Sequence, residues 1–228
     1  MIEIKNLTKV YKNDGYDRVR ALDNISFTVN SGDMLCVSGD TGSGKSTLLE
    51  ILSGTAYADS GSVIFDGRDI TAMRGRRAAR ARGELVGLIL CDFDLMPDRT
   101  VLENIALPLT LGQVKIKKKQ RLECCLEAAK KVGLFMQLDT PAGRLSGGQQ
   151  QRVAIARALV ADPMYIIADE PIAGLDAPAA EEILTLFKRL NGMGKTLVIV
   201  SNDRRVGEIC NKHIHMQGGR IADTDLDR

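Results

Sequence analysis

The chain has 228 residues, of which 44% are hydrophobic and 26% are charged, with 31 basic and 29 acidic side chains. This composition is typical of a soluble globular protein and excludes a disordered chain, a collagen-like chain and a disulfide scaffold. The net charge of +2 argues against a general nucleic-acid binder, which usually carries a strong basic excess. A chain of this length supports one sizeable core but not two large domains.

Cysteine content and the N-terminus indicate a cytosolic protein. The residues Met1–Lys5 lack the basic head and the apolar stretch of a signal peptide. No apolar run approaches the roughly 18 to 20 residues that a membrane-spanning helix needs. An odd number of cysteines without metal-ligand spacing favours a reducing compartment. The cysteines, which we expect to be reduced, are Cys36, Cys91, Cys124, Cys125 and Cys210.

The first third of the chain predicts strands around a glycine-rich loop. Apolar and polar residues alternate over 2–7 and 21–29, as in half-buried strands. The apolar segment 34–37 predicts a buried strand that leads into the loop, and 46–52 has the pattern of a helix. Residues 61–70 predict a further strand and turn.

Two basic stretches are interpreted as exposed helix surfaces. The segment 71–82 carries five arginines, and a binding patch for anionic lipid or nucleic acid is the less favoured interpretation. The lysines at 115 and 117–119 predict the exposed start of a helix. The arginines are Arg74, Arg76, Arg77, Arg80 and Arg82.

The second half of the chain first turns helical and then alternates strand with helix. Helical patterns cover 101–111 and 117–132, and 92–152 contains no convincing long strand. Strands alternating with helices predict an α/β fold with a mostly parallel sheet covered on both faces. The elements of this last part are the strand 164–168, the helix 179–190 and the strand 196–201.

Residues 39–46 match the phosphate-loop pattern G-x-x-x-x-G-K-[ST], between a strand and a helix. Its glycines let successive backbone N–H groups face phosphate oxygens, and the helix start adds positive potential. Lys45 would contact the β- and γ-phosphates, the Ser46 hydroxyl suits Mg²⁺, and Asp40 is expected to face solvent. The candidate nucleotide contacts are Gly39, Asp40, Thr41, Gly42, Ser43, Gly44, Lys45, Ser46 and Thr47.

Two carboxylates follow the apolar strand at 164–168. Asp169 and Glu170 should therefore lie at the C-terminal edge of the sheet, where ligands of α/β proteins bind. We expect Asp169 to hold Mg²⁺. Glu170 would orient and polarise a water molecule for in-line attack on the γ-phosphate. The two motifs together predict hydrolysis of a nucleoside triphosphate.

The segment 145–152, Leu-Ser-Gly-Gly-Gln-Gln-Gln-Arg, resembles the signature sequence of ABC-type ATPases. The order of phosphate loop, signature, acidic strand and the turn 174–176 also matches that family, over essentially the whole chain. The segments 95–97, 100–104 and 149–158 look most like the lipoprotein-release, macrolide-export and cell-division branch. The resemblance implies one ABC ATPase domain over 1–228. Its P-loop NTPase core would comprise 1–90 and 153–228, with an N-terminal antiparallel β subdomain and an inserted helical subdomain at 91–152.

The resemblance also implies a dimer of two ATPase subunits that close head to tail around two ATP molecules. The signature would then contact the γ-phosphate held by the opposite subunit, and a helix start with glycine N–H groups suits an anion. Tyr11 would stack on adenine, and Asp176 would couple the two sites. The implied signature contacts are Ser146, Gly147, Gly148 and Gln149.

Such subunits drive a separate membrane protein, so the resemblance implies an integral membrane partner. ATP would close the dimer and hydrolysis would reopen it. Residues 92–109 would form a groove for a cytoplasmic helix of the partner, which would hold the protein at the inner face of the membrane. A role on DNA or ribosomes is disfavoured, because such family members usually carry coiled-coil insertions or a second cassette.

Two positions depart from the family pattern. Cys91 aligns with a glutamine that usually binds Mg²⁺ and senses the γ-phosphate, and a thiol is a poor replacement. Asp92 would substitute if the loop shifted by one residue. Asn202 aligns with a histidine; it can donate a neutral hydrogen bond, but it is shorter and cannot be charged.

These departures lead to the hypothesis of tight Mg-ATP binding with slow hydrolysis by Lys45, Glu170 and Asn202. Each lost charge-assisted contact is worth roughly 1.5–3 kcal/mol, or on the order of ten- to a hundredfold in rate. The chain would be half of an asymmetric pair, or would need its membrane partner to align Glu170. The alternative is a catalytically weak, nucleotide-gated regulatory or scaffold subunit that pairs with a more active ATPase.

Overall fold

The computed structural model describes residues 1–12, 18–73, 75–110 and 116–226. Within them the chain forms ten β-strands and seven α-helices. The strands are β1 (Ile2–Lys12), β2 (Arg18–Val29), β3 (Met34–Gly39), β4 (Ser60–Phe65), β5 (Arg68–Asp69), β6 (Val86–Ile89), β7 (Tyr165–Asp169), β8 (Thr196–Val200), β9 (Lys212–Gln217) and β10 (Arg220–Thr224). The helices are α1 (Lys45–Leu52), α2 (Gly75–Leu85), α3 (Val101–Thr110), α4 (Lys118–Lys131), α5 (Gly147–Leu159), α6 (Ala177–Gly192) and α7 (Arg204–Ile209).

The strands form two sheets. The first is antiparallel, in the order β2-β1-β4-β5. The second has six strands in the order β10-β9-β3-β8-β7-β6, and all of its strand pairs are parallel except β10 with β9. The predicted α/β class, with a mostly parallel sheet and an antiparallel sheet built around the N-terminal strands, is confirmed.

The central strands of the parallel sheet are buried on both faces. In β3, Leu35 and Val37 join a core with the antiparallel sheet and α1, whereas Met34 and Cys36 face a second core with the helices from α3 to α7. Strands β7 and β8 divide their side chains in the same way. This double burial is the reason why these strands are continuous apolar runs rather than alternating ones.

The N-terminal hairpin is longer than its alternation predicted. β1 continues to Lys12 and β2 begins at Arg18, so that Val10 pairs with Arg20 and Tyr11 with Val19. The side chains of Tyr11 and Val19 are exposed there. Strand pairing therefore continues beyond the last buried residues of the two strands, over side chains that are exposed or half-buried.

Four strands were not predicted, one of which is the two-residue β5 within the predicted turn. β6 has only four residues, and one of them is Gly87, whose added Cβ would lie 2.6 Å from the carbonyl oxygen of Ala158. This glycine lets α5 pack closely against the strand. Strands β9 and β10 form the opposite edge of the sheet, and β10 is mostly exposed.

The helical segment between β6 and β7 contains α3 and α4 within one residue of their predicted bounds. Helix α5 runs continuously through residue 152, where the inserted subdomain was predicted to end. Arg80 and the lysines at 117 and 119 are exposed, as expected. Arg74 and Lys115 lie outside the described residues, as do the side chains of Arg76, Arg77, Arg82 and Lys118.

None of the helices in the described ranges combines the length and the apolar character needed to cross a membrane.

Candidate functional site

The candidate site is a cleft of about 460 Å³ at the C-terminal edge of the parallel sheet. Strands β3, β8 and β7 are neighbours, so the segments that follow them meet at this edge. Most of the predicted site residues line the same cleft, together with Val19, Ala21 and Val200. The predicted residues in its wall are Tyr11, Thr41, Gly42, Gly44, Lys45, Ser46, Thr47, Asp169, Glu170 and Asn202.

The phosphate loop requires glycine at two close backbone contacts. Gly39 ends β3, and a Cβ added there would lie 2.2 Å from the Met216 carbonyl oxygen. Gly44 precedes α1 with φ at 102°, and its Cβ would lie 2.3 Å from the Ala21 carbonyl oxygen. The loop therefore fits under β2 and beside β9 only without these side chains. It leads directly to the first turn of α1, whose N–H groups have no acceptor within the helix.

Lys45 bends back into its own loop. Its Nζ atom donates to the carbonyl oxygens of Gly39 at 2.5 Å and Asp40 at 2.9 Å, and lies 3.5 Å from Ser43 Oγ. The side chain of Asp40 is exposed, as predicted, whereas Ser43 is buried. The ammonium group is therefore held at the centre of the loop, where an anion would meet it.

The two carboxylates lie at the end of β7. Burial, and then the negative charge of Glu170, raise the pKa of Asp169, against the opposing effect of Lys45. Asp169 and Ser46 line the same cleft. Asp169 is half-buried and its negative charge is disfavoured there, whereas Ser46 is exposed. The carboxylate and the hydroxyl are oxygen ligands that fit a hard divalent cation such as Mg²⁺.

Glu170 is held by three contacts, one from the last residue of β8 and two from the segment that follows it. Its Oε2 atom accepts a 2.7 Å hydrogen bond from Ser201 Oγ, and its Oε1 atom accepts one of 3.3 Å from the Asn202 N–H. Its backbone N–H donates to the Val200 carbonyl at 2.9 Å, and its φ is 41°. A polar residue directly after a buried strand is the signal that could have identified Ser201, which sequence reasoning missed.

Asn202 connects this carboxylate to the phosphate loop. Its Oδ1 atom accepts a 3.0 Å hydrogen bond from the backbone N–H of Gly39. Because this contact fixes the position of the oxygen, the NH₂ group is the donor that the side chain can offer to an anionic ligand in the cleft. The side chain is therefore oriented as a donor.

Tyr11 forms one wall at the mouth of the cleft. Its side chain is 39% exposed, its hydroxyl lies 3.4 Å from Glu50 Oε2, and the Lys9 ammonium lies 5.2 Å from the ring centroid. The accessible ring is available for stacking against a flat ligand.

The predicted signature residues do not line this cleft. Ser146 caps α5 by accepting from the N–H of Gln149, whose side chain accepts in return from the Ser146 N–H at 3.0 Å. Ser146 and Gly147 are exposed, whereas Gly148 is buried. A Cβ on Gly148 would lie 2.7 Å from the Cβ of Ala179, in the first turn of α6. The exposed N-terminus of α5 is thus a second anion-compatible surface, separate from the phosphate loop.

Asp176 caps the adjacent helix, α6, by accepting a 2.8 Å hydrogen bond from the N–H of Ala179. It is exposed beside the signature.

Cys91 and Asp92 lie in the turn after β6. Both side chains are exposed, and neither is in the wall of the cleft. In this structure Asp92 therefore does not take the place of the glutamine that the sequence lacks.

Comparisons with known proteins agree with this geometry. The family model for ABC transporters matches residues 22–173. The ABC transporter ATP-binding protein YvrO of Bacillus subtilis is 38% identical over 97% of this chain and 96% of its own length. The macrolide export ATP-binding/permease protein MacB of Chlorobaculum tepidum is 36% identical over 98% of this chain, which covers 34% of MacB.

Solved structures show the same fold. A dimeric post-hydrolysis structure of the ATP-binding cassette MJ0796, bound to ADP and Pi, is 34% identical and superimposes with a TM-score of 0.89. The match covers 100% of each chain. The phosphate-loop cleft and the separate signature surface agree with the family model and with the sequences of these relatives. The protein therefore belongs to the ATP-binding subunits of the ABC transporter family.

Proposed function

We propose that this chain is an ATP-hydrolysing motor subunit that drives a separate membrane subunit of a transporter or mechanotransmission complex. The observation that carries the proposal is the convergence of Lys45, Asp169, Glu170 and Asn202 on one cleft. ATP binding closes a dimer of two such subunits, and hydrolysis reopens it.

The phosphate loop binds the triphosphate. The first-turn N–H groups of α1 and the Lys45 ammonium neutralise the phosphate charge. Ser46 and Asp169 would hold Mg²⁺, which would add positive charge next to the phosphates. Tyr11 stacks on the adenine ring. Since Lys45 already lies against carbonyl oxygens of its own loop, it reaches the phosphates by exchanging those contacts.

Glu170 orients the attacking water. Its two oxygens are held by Ser201 and by the Asn202 N–H, so the carboxylate is fixed before substrate binds. Fixing the group in advance reduces the reorganisation needed in the transition state. The amide NH₂ of Asn202 donates a neutral hydrogen bond to the terminal phosphate, because its oxygen is occupied by Gly39.

The second ATPase subunit supplies the signature. Ser146 and Gly147 are exposed at the N-terminus of α5, outside the cleft of their own chain. A second copy, or a related subunit, placed head to tail would bring such a helix start to the γ-phosphate. The MJ0796 cassette with ADP and Pi is likewise dimeric.

The membrane partner docks on a groove of about 270 Å³ between β6, α3 and α5. Leu90, Asp94, Leu107, Pro108 and Arg157 are among its lining residues. Of these, Asp94, Leu107 and Pro108 lie within the predicted region 92–109, whereas Arg157 belongs to α5. The groove offers apolar walls with one cation and one carboxylate, which suits a short amphipathic helix. This contact would hold the protein at the cytoplasmic face of the membrane.

Turnover is slow, because two contacts to the terminal phosphate or its metal are weakened. Cys91 is exposed outside the cleft, and Asn202 is neutral. Restoring the two family residues tests this explanation directly. We expect the double variant Cys91→Gln, Asn202→His to hydrolyse ATP at least about tenfold faster than the parent at saturating Mg-ATP.

The experiment compares ATP binding and steady-state turnover for the parent, the double variant, Lys45→Ala and Glu170→Gln. Lys45→Ala should lose binding, whereas Glu170→Gln should keep binding and lose turnover. A parent that does not bind Mg-ATP contradicts the proposed function, and a fast parent that gains nothing from restoration contradicts slow turnover. Binding without turnover, even together with the membrane subunit, would instead favour the regulatory or scaffold role.

A test of the membrane contact uses the groove itself. Co-expression with the membrane protein encoded next to this chain should yield a complex that co-purifies. Leu107→Glu should release that partner while ATP binding by the isolated subunit remains. Retention of the partner by this variant would place the contact elsewhere.

A further inference from the structure

The turn after β6 adopts a backbone conformation that its residues do not favour. Phe93 has a φ of 61° and Asp94 a φ of 46°, so two successive residues with side chains are left-handed. Residues other than glycine populate this region rarely, because Cβ then crowds the backbone. A contact from elsewhere in the fold must hold the turn in this form.

Arg157 provides that contact. Its guanidinium donates to the carbonyl oxygens of both left-handed residues, at 2.9 Å for Phe93 and through a second, shorter bond for Asp94. Its Nη2 atom also lies 4.0 Å from the Asp94 carboxylate, and the side chain is only 13% exposed. A planar fork with several N–H groups can satisfy two adjacent carbonyls at once, which an ammonium on a lysine does less well.

The turn lies beside β7, the strand that ends at Asp169. It follows β6, which pairs in parallel with β7 so that Ile89 is opposite Ala168, the residue before Asp169. Arg157 belongs to α5, whose N-terminus carries Ser146. Arg157 is eleven positions after Ser146, which corresponds to about 16 Å along one helix. A single rigid helix therefore links the signature surface to the turn next to the two carboxylates.

We propose that Arg157 is a positioning residue for ATP turnover, which holds the Cys91–Asp94 turn in its left-handed form and couples its position to α5. This inference deepens the proposed function and rests on it. Arg157 does not contact the nucleotide site, since it lies outside the wall of the cleft. Its effect must therefore be transmitted by the turn.

The test combines a substitution that removes the guanidinium of Arg157 with one that lets the turn adopt a positive φ without strain. Arg157→Lys should lower kcat about tenfold with less than a twofold change in the Kd for Mg-ATP. Asp94→Gly should restore most of that loss, because glycine adopts a positive φ without help. Arg204→Lys on α7, which replaces an exposed arginine paired with Glu208, is the matched control and should keep the parental kcat.

Two results would overturn the inference. One is an unchanged kcat in Arg157→Lys. The other is an Asp94→Gly substitution that changes kcat by the same factor in the parent and in Arg157→Lys. Thermal unfolding of the same four proteins (parent, each single variant and the double variant) gives a second measurement that needs no ATPase activity. Asp94→Gly should raise the midpoint, and more so in Arg157→Lys than in the parent. A lower midpoint in Asp94→Gly contradicts the proposal even if Arg157→Lys fails to fold.

The two proposals can fail separately. If the parent neither binds nor hydrolyses ATP, the proposed function fails. The thermal midpoints of the parent, the two single variants and the double variant still show whether Arg157 supports the turn. If the parent is an ATPase and the cycle shows no coupling, only the inference about Arg157 fails.

Discussion

The backbone N–H of Gly39 donates a 3.0 Å hydrogen bond to the side-chain oxygen of Asn202. The backbone N–H of the same asparagine donates to Glu170 at 3.3 Å. Asn202 thus contacts both the first glycine of the phosphate loop and the carboxylate proposed to orient water. A neutral histidine also has one acceptor and one donor nitrogen, so Asn202→His retains both types of hydrogen-bonding group at this position.

Replacing Asn202 separates the two functions of its side chain. Asn202→Ala removes both the acceptor for Gly39 and the donor to phosphate, and should lower kcat/KM for ATP about three- to thirtyfold. Asn202→Asp keeps the acceptor but adds negative charge near Glu170 and the phosphates, so its loss should be larger. Steady-state ATPase assays of the two variants check this order. Equal activity of Asn202→Asp and the parent would contradict the role as donor.

Ser201 should affect catalysis through Glu170. Ser201→Ala removes the 2.7 Å hydrogen bond to Glu170 Oε2 and leaves the backbone contact from Asn202 in place. We expect kcat to fall about three- to tenfold, which is the effect of one hydrogen bond, while the Kd for Mg-ATP is unchanged. Ser201→Thr, which keeps the hydroxyl, is the control and should retain more activity than the alanine variant. If alanine and threonine behave alike, the hydroxyl does not position the carboxylate.

Asp169 makes stability depend on pH in the absence of Mg²⁺ and nucleotide. Burial, and then the charge of Glu170, raise its pKa in the folded protein. The folded state therefore holds the proton more tightly than the unfolded state, and stability falls as pH rises from about 3.9, the ordinary pKa of aspartate, through the raised value. Asp169→Asn should remove this loss and raise the thermal midpoint at neutral pH, with a smaller gain at low pH.

Thermal unfolding of the parent and Asp169→Asn from pH 4 to pH 8, without divalent cations, measures this difference. Adding Mg-ATP should stabilise the parent more than the variant, since ligand binding to the native state raises its stability. A constant difference between the two proteins across the pH range would show that the Asp169 carboxylate does not titrate as its surroundings require.

Gly147 and Gly148 form a matched pair of tests for the signature surface. A Cβ on Gly148 would lie 2.7 Å from the Ala179 Cβ, whereas one on Gly147 would lie 3.5 Å from Leu175 Cδ2. Gly148→Ala should therefore lower the free energy of unfolding by about 1–3 kcal/mol through overpacking. Gly147→Ala should keep or slightly raise stability, since alanine favours the helix, yet weaken ATP-dependent dimerisation.

Urea unfolding separates the first effect. Size-exclusion chromatography with Mg-ATP, in a Glu170→Gln background that slows hydrolysis, measures the second. If Gly147→Ala dimerises like its background protein, the exposed start of α5 does not seal a nucleotide in the way proposed.

Local motifs could be read from the sequence because their chemistry depends on neighbouring residues. The phosphate loop and the strand before Asp169 are of this kind, and Asp40 is exposed as its position in the loop predicts. The role of Ser201 and the fork of Arg157 could not be read, since each joins segments that are 31 or more residues apart in the chain. Hydropathy carries no information on such contacts.

Strand β6 was missed for a different reason. It has four residues, one of them Gly87, and its place in the sheet depends on α5 packing over that glycine. Neither length nor alternation identifies such a strand. The exposed position of the Cys91 side chain, outside the cleft, also could not be predicted, because the turn that contains it includes the two left-handed residues Phe93 and Asp94.

The order of the strands has a consequence for biosynthesis. Gly39, Asp169 and Asn202 meet only because β3 lies beside β8 and β8 beside β7. A nascent chain that has emerged from the ribosome only as far as α6 still lacks β8, so the gap between β3 and β7 is unfilled. ATP can therefore stabilise the protein only late in translation, and the part of the chain up to the end of α6, more than four fifths of its length, must avoid aggregation without help from the ligand.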